Sequence, residues 1–238
     1  FLCQLNQTQL SKAMFPIGEL LKPEVRKIAR EQNLPSAERK DSQGICFVGK
    51  VDLPTFLQQQ LQPKVGNIIE VPAKFMEKKK QIEVTEENYR KLCFPYPYKP
   101  WVGDVIGEHQ GAHFYTIGQR KGLNIGGHKE PLFVIATDVQ RNIIYVGEGK
   151  EHPGLYRRGL FIATDDLHWI RHDLKMKLGE SKEFDIRIRY RQPLEKGTIH
   201  LKEDGAYFLF NDEQRGITSG QFAAWYLEDD LIGSGVIA

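Results

Sequence analysis

The sequence predicts a multidomain fold, α/β at its start and β toward its end. Three observations carry this. Apolar residues fall at helical spacing in Lys22-Pro23-Glu24-Val25-Arg26-Lys27-Ile28-Ala29-Arg30. Two apolar runs, Leu132 to Ala136 and Ile143 to Val146, flank the turn-prone cluster Asp138 to Asn142 and read as a hairpin. From Leu160 onward short β-like runs recur about every ten residues, the signature of a small all-β barrel or sandwich.

In chain order, Pro23 near the first helical position and Val25, Ile28 and Ala29 on one side predict a surface helix with one buried stripe, ended by Asn33 and Pro35. The polar run Asp41 to Gly44 then leads into Ile45-Cys46-Phe47-Val48, short and apolar enough for a strand. A short helical piece is expected from about Asp52, followed by strands at Ile68-Ile69 and Val105-Ile106. Between these two strands, Val71 to Val102 holds a helix-like Glu86 to Leu92 and the Pro-aromatic run Phe94-Pro95-Tyr96-Pro97-Tyr98-Lys99-Pro100. It reads as an extended, partly packed excursion and a peripheral elaboration of the fold.

The 238 residues are enough for one large domain or two small ones. No apolar run approaches the roughly 20 residues that span a bilayer. Cys3, Cys46 and Cys93 stand far apart with no CxxC pair, so neither a disulfide framework nor a zinc ribbon is indicated, and a reducing cytoplasm is the expected setting. The formal charge of +2 means that any nucleic-acid binding must come from a local basic surface. The opening Phe1-Leu2-Cys3 has no initiator Met and no signal-peptide pattern, and reads as a truncated start.

Three segments carry chemistry. In Lys40-Asp41-Ser42-Gln43-Gly44-Ile45-Cys46-Phe47 one thiol follows a flexible glycine, with Arg39 and Lys40 close by; nearby cations favour the reactive thiolate. On the residues alone, a small buried hydrophobe at the start of a strand is the favoured reading of this cysteine. Tyr115 to Gly127 sets Arg120 and Lys121 among closely spaced glycines, a loop able to bring backbone N–H groups and two charges to a phosphate, although a solvated connection fits as well. In Ile186-Arg187-Ile188-Arg189-Tyr190-Arg191-Gln192, strand alternation puts Arg187, Arg189 and Arg191 on one face and Tyr190 on the other, and three projecting guanidinium groups favour an anionic partner. His109 and His113 have i, i+4 spacing but no third ligand, so no metal is assigned.

Taken in order, these stretches resemble the tRNA-specific 2-thiouridylase family. The resemblance rests on Phe15-Pro16-Ile17-Gly18, Lys22-Pro23-Glu24-Val25-Arg26, Lys40 to Phe47, Gly107-Glu108-His109-Gln110-Gly111, Tyr115 to Gly127, Arg189-Tyr190-Arg191-Gln192 and Ser219-Gly220-Gln221. It implies the end of an α/β ATP-pyrophosphatase (PP-loop) domain over residues 1–55, a small central tRNA-binding domain over 56–156 with an insertion near 71–102, and a C-terminal β-barrel over 157–238. It further implies ATP-dependent 2-thiolation of the wobble uridine, with Cys46 as the persulfide carrier. Arg189, Tyr190 and Gln221 are implied as tRNA contacts, alongside the basic residues Arg187, Arg191, Arg120 and Lys121. The partners it implies are tRNA and a sulfur-donor protein, with no membrane.

Two departures from the family pattern stand out. The glycine-rich ATP loop and first catalytic cysteine are absent, so the site for ATP, with any Mg it carries, is expected upstream of Phe1. The family usually passes directly from a segment like Gly66 to Glu70 into one like Gly103 to Gly111, without the Val71 to Val102 insertion. Two rivals stay open: a non-catalytic tRNA-binding module, and a thiol-dependent enzyme acting on a small molecule, against which the arginine face argues.

Overall fold

The computed structural model describes residues 2–39, 62–76, 82–190 and 192–238, and the chain divides into two units, 8–62 and a larger one formed by 1–7 with 63–238. In the smaller unit the expected helix is present as α2 (Lys22–Glu31), after a single turn α1 (Gln7–Leu10). Glu24 caps α2 by accepting a hydrogen bond from Leu21 N at 2.6 Å. Its stripe is only half covered: Val25 and Ala29 are partly buried, while Ile28 stays 44% exposed because no layer packs over it among the described residues.

The larger unit contains two sheets. The first has β1 (Gly66–Glu70), β2 (Asp104–His109), β3 (Leu132–Asp138) and β4 (Ile143–Glu148) in the order β2-β1-β4-β3, with β1 and β4 parallel and the expected β3–β4 hairpin antiparallel. Its apolar residues run consecutively along the strands because both faces are covered. Ile68, Ile144 and Val146 pack with Ala112 and Leu123, which follow β2, whereas Ile69, Ile143 and Tyr145 pack with Met76 and Tyr98 of the insertion.

The insertion is therefore no peripheral elaboration. Its helices α3 (Ala73–Met76) and α4 (Tyr89–Cys93) precede the Pro-aromatic run, in which Tyr98 stacks on Tyr145 with ring centroids 5.2 Å apart. Leu92 and Cys93 form a further cluster with Phe161, Tyr207 and Leu209 of the second sheet. One short segment thus plugs an apolar face on each sheet, which local sequence spacing could not reveal.

The second sheet has seven strands: β5 (Tyr156–Ala163), β6 (Leu167–Trp169), β7 (Ser181–Arg187), β8 (Glu195–Lys202), β9 (Gly205–Arg215), β10 (Phe222–Leu227) and β11 (Asp230–Val236). They lie in the order β5-β9-β8-β7-β10-β11-β6. The sheet curls around one core to which all seven strands contribute, with Trp225, Phe184, Phe208 and Phe210 its largest fully enclosed side chains. The curl brings β11 back toward β5: a Cβ on Gly235 would lie 2.6 Å from the Ile162 side chain, and Ala238 N donates to Phe161 O at 3.0 Å. Residues 3–7 belong to this barrel, with Gln4 Nε2 donating to Ser234 Oγ and Ser234 Oγ to Cys3 O.

Candidate nucleic-acid interface

The motif Ile186 to Gln192 does not stay a strand. β7 ends at Arg187, where its ladders to β10 and β8 run out (Arg187 faces Ala224, Ile186 faces Glu195), and the chain bends. Ile186 and Ile188 still point into the core. Tyr190, expected opposite the arginines, is instead 80% exposed, since the bend releases it from strand alternation. Arg191 lies outside the described residues.

This bend gathers the predicted residues. A groove of about 500 Å³ is lined by Arg187, Arg189, Tyr190 and Gln221, with Phe222 and Tyr226 on its β10 side, and none of the described residues that line it is acidic. Arg187 lies over the Tyr226 ring at 5.8 Å, and its Nε is buried without a partner among the described residues. Arg189 Nη2 donates to Gly216 O at 2.6 Å. Gly216 has φ +68°, and a Cβ there would fall 2.3 Å from Arg189 Nη2, so only glycine permits this clasp. Burial, then the neighbouring Arg215, lowers the Arg189 pKa from its ordinary value. Two cations crowded together without a carboxylate are what a phosphate would relieve.

Gln221 is placed by the turn that follows Gly216. Arg157, buried to 6% exposure, donates from Nη2 to Ile217 O at 2.9 Å and from Nη1 to Cys93 O at 3.2 Å, so one guanidinium ties this turn to the end of α4. Burial lowers its pKa to about 10. At the far end of the turn, Gly220 N donates to Ile237 O and Ile237 N to Gln221 O, both at 2.8 Å. Sequence reasoning missed Phe222 and Tyr226; their i, i+4 places on one strand face, directly after Ser219-Gly220-Gln221, were the available signal.

Arg120 and Lys121 are not brought to this groove. Both are exposed on the loop after β2, where Arg120 borders a separate polar hollow of about 410 Å³. Gly118, Gly122 and Gly127 there have φ near +85°, with open space where a side chain would stand at Gly118 and Gly127 and only an ordinary contact, Gln119 Nε2 at 3.9 Å, at Gly122. Glycine is thus required by backbone conformation, not by packing. The loop is pinned by Tyr115 Oη to Gly122 O at 3.0 Å and by His128 Nε2 to Glu70 Oε2 at 3.0 Å.

The thiols separate by environment. Cys93 is buried and burial pushes its pKa up to about 12, which makes it a poor nucleophile. Cys3 is partly exposed at the edge of the arginine groove. Cys46 lies outside the described residues. No group of three or more metal-ligating side chains occurs among the described residues, and His109 accepts a hydrogen bond from Gly111 N at 2.9 Å, as a neutral imidazole does. No helix among those residues is long and apolar enough to cross a membrane.

The described residues also do not fit ATP. A phosphate cradle needs a glycine-rich loop ahead of a helix N-terminus. Here the glycine-rich loop runs into β3, and the Leu21 amide at the start of α2 is already taken by the Glu24 carboxylate.

Three family models match the chain in order: a tRNA methyl transferase HUP domain over residues 1–50, a tRNA methyl transferase PRC-barrel domain over 98–148 and an aminomethyltransferase beta-barrel domain over 160–237. Among curated relatives, "tRNA-specific 2-thiouridylase MnmA" of Flavobacterium johnsoniae is 56% identical over 245 residues, covering 100% of this chain and 61% of the relative. The protein of the same name from Christiangramia forsetii is 56% identical over 241 residues, and that from Karelsulcia muelleri 45% over 239, covering 61% and 60% of those relatives. The chain therefore spans about three fifths of the length of the relatives it matches.

Proposed function

Because the chain belongs to the tRNA-specific 2-thiouridylase family, we propose that its protein replaces the C2 oxygen of a tRNA wobble uridine with sulfur, and that this chain supplies the tRNA-binding surface and the sulfur-carrying cysteine. The observation that carries the tRNA half is the groove, in which Arg187, Arg189, Tyr190 and Gln221 converge with no carboxylate among the described residues that line it. Guanidinium groups pair with phosphates through paired N–H donors, and Tyr190 offers an exposed ring for a base. Arg120 and Lys121, on a loop whose glycines leave the backbone open, form a second phosphate contact.

In this reading Cys46 receives sulfur as a persulfide from a donor protein in the cytoplasm. ATP, with any Mg it carries, would bind upstream of Phe1, as the family resemblance implies, and would supply activation of the uridine O2 as an adenylate with release of pyrophosphate. The terminal sulfur of the Cys46 persulfide then attacks C2 and displaces AMP, and a second thiol outside the described residues attacks the Cys46 sulfur, breaking the S–S bond, forming a disulfide with Cys46 and leaving the outer sulfur on C2. Cys93 is excluded as carrier by its raised pKa and by its burial against Phe208 O, to which its thiol donates at 3.8 Å.

The test is nucleoside mass spectrometry of tRNA from cells whose own copy is replaced by wild type, Cys46→Ser or Cys93→Ser. Loss of 2-thiouridine with Cys46→Ser alone is expected. Retained 2-thiouridine in Cys46→Ser cells refutes the carrier role, and normal tRNA binding with no thiouridine from any version supports the binding-module alternative.

A further inference from the structure

The barrel groove does not end at Gln221. The two residues before Gly220, Thr218 and Ser219, border a larger pocket of about 630 Å³ on the side of the insertion. Its other walls are Tyr96, Tyr98 and Lys99 of the Pro-aromatic run, the β3–β4 turn with Arg141, and His113 after β2. A hollow of this size takes a ligand of nucleotide dimensions. Two residues of extended chain reach at most about 7 Å, so Gln221 in the groove and Ser219 at this pocket lie within that distance of each other along the backbone.

The walls combine an aromatic platform with unspent polar groups. Tyr96 is held by edge contacts, to Tyr98 at 5.0 Å and 61° and to Phe75 at 5.6 Å and 86°, and is still 38% exposed. Its ring is thus fixed in place before any ligand arrives, which lowers the entropy lost on stacking. Lys99 is exposed and no carboxylate pairs with it among the described residues. Arg141 is oriented by Asp138, which accepts from its Nη1 at 2.8 Å, but its side chain remains 54% exposed and keeps further donors. His113 carries a buried Nε2 with no partner among the described residues, a hydrogen-bonding group that costs free energy until something meets it.

We propose that the insertion builds a second RNA site, a pocket in which one unstacked base of the bound tRNA lies on Tyr96 with its phosphate at Lys99 and its polar edge toward His113. The inference rests on the tRNA reading of the barrel groove. It gives the insertion a role beyond filling the two sheets.

The experiment measures tRNA affinity over a salt series and the chemical reactivity of each tRNA base, for wild type, Tyr96→Ala, Tyr96→Phe, Lys99→Ala and an Arg187→Ala, Arg189→Ala double variant. Tyr96→Ala should bind about tenfold more weakly and Tyr96→Phe like wild type. Lys99→Ala should lower the salt slope by about one. One nucleotide should change reactivity on binding to wild type and revert with Tyr96→Ala. If Tyr96→Ala and Lys99→Ala match wild type in all three readings while the arginine variant weakens binding, the pocket proposal is overturned and the groove stands. If the arginine variant also binds unchanged, the groove reading falls with it. Equal losses from Tyr96→Phe and Tyr96→Ala would overturn the stacking role. Should Tyr96→Ala fail to fold, the slope of the exposed Lys99→Ala variant and the reactivity change decide.

Discussion

The two sheets of the larger unit bury their strands in different ways. In the four-stranded sheet Ile143, Ile144, Tyr145 and Val146 are all buried, because the loop after β2 covers one face and the insertion the other. In the barrel Phe184, Ile186 and Ile188 are buried while Asp185 and Arg187 alternate with them on the outside. A sheet covered on both faces has no outer face to offer, so its functional groups sit on loops, whereas a barrel open on one side can display them directly from a strand and its end. Of the proposed phosphate contacts, Arg120 and Lys121 follow the first pattern, Arg187 and Arg189 the second.

The strongest way to break this comparison is to remove the cover. Tyr98→Ala takes away a side chain that is 7% exposed and stacked on Tyr145, and should lower the unfolding free energy by about 3–5 kcal/mol in urea titration. Glu183→Ala, exposed on the open face of β7, should stay within about 0.5 kcal/mol. A loss under about 1 kcal/mol for Tyr98→Ala would mean that the insertion is dispensable as a cover.

Next in size is the division of phosphate contacts. Arg187→Ala with Arg189→Ala should weaken tRNA binding by at least about tenfold and reduce the salt slope by about two. Arg120→Ala with Lys121→Ala should change the slope less, since those side chains stand on an exposed loop without the aromatic walls of the groove. The reverse ranking would place the main tRNA contact on the central sheet.

A smaller effect tests the loop itself. Gly127→Ala meets no atom within 4 Å but must adopt φ +86°, so it should cost about 1 kcal/mol through backbone conformation alone. Measured equality with wild type would show that the loop relaxes.

The contrast also explains what the sequence made legible. The β3–β4 hairpin, the barrel and α2 were readable because their signals are local: a turn cluster, a ten-residue recurrence, a helical stripe. The insertion was not, because its partners are distant; the Cys93 thiol meets Phe208 O 115 residues away. The arginine groove was half readable. Alternation grouped Arg187 with Arg189 but sent Tyr190 the wrong way, since the end of a ladder is set by the partner strands and not by the strand's own residues. The part played by Gly216 in holding Arg189 had no local signal at all.

The smallest effect concerns the histidines that the doubly covered sheet encloses. Burial lowers the pKa of His109 and of His152 from the ordinary 6.5, so both are neutral in the fold while the unfolded chain takes up protons near 6.5. Their contribution to stability is complete above that pH and is lost as pH falls below it toward each folded pKa. His128 has the opposite sign: its hydrogen bond to Glu70 raises its pKa, so its contribution is present below 6.5 and lost as pH rises through the folded value. The two buried rings have a direct readout. His109 Nδ1 accepts from Gly111 N at 2.9 Å and His152 Nδ1 from Gly154 N at 3.1 Å, and a protonated ring nitrogen cannot accept. Hydrogen exchange between pH 7.5 and pH 5.5, corrected for intrinsic rates, should show the Gly111 and Gly154 amides losing protection. The Ile199 amide, in the β8 strand that runs between β7 and β9, should keep its protection. Equal retention at all three would mean that these imidazoles do not hold the edges of the covered sheet, and that its two faces are secured by apolar packing alone.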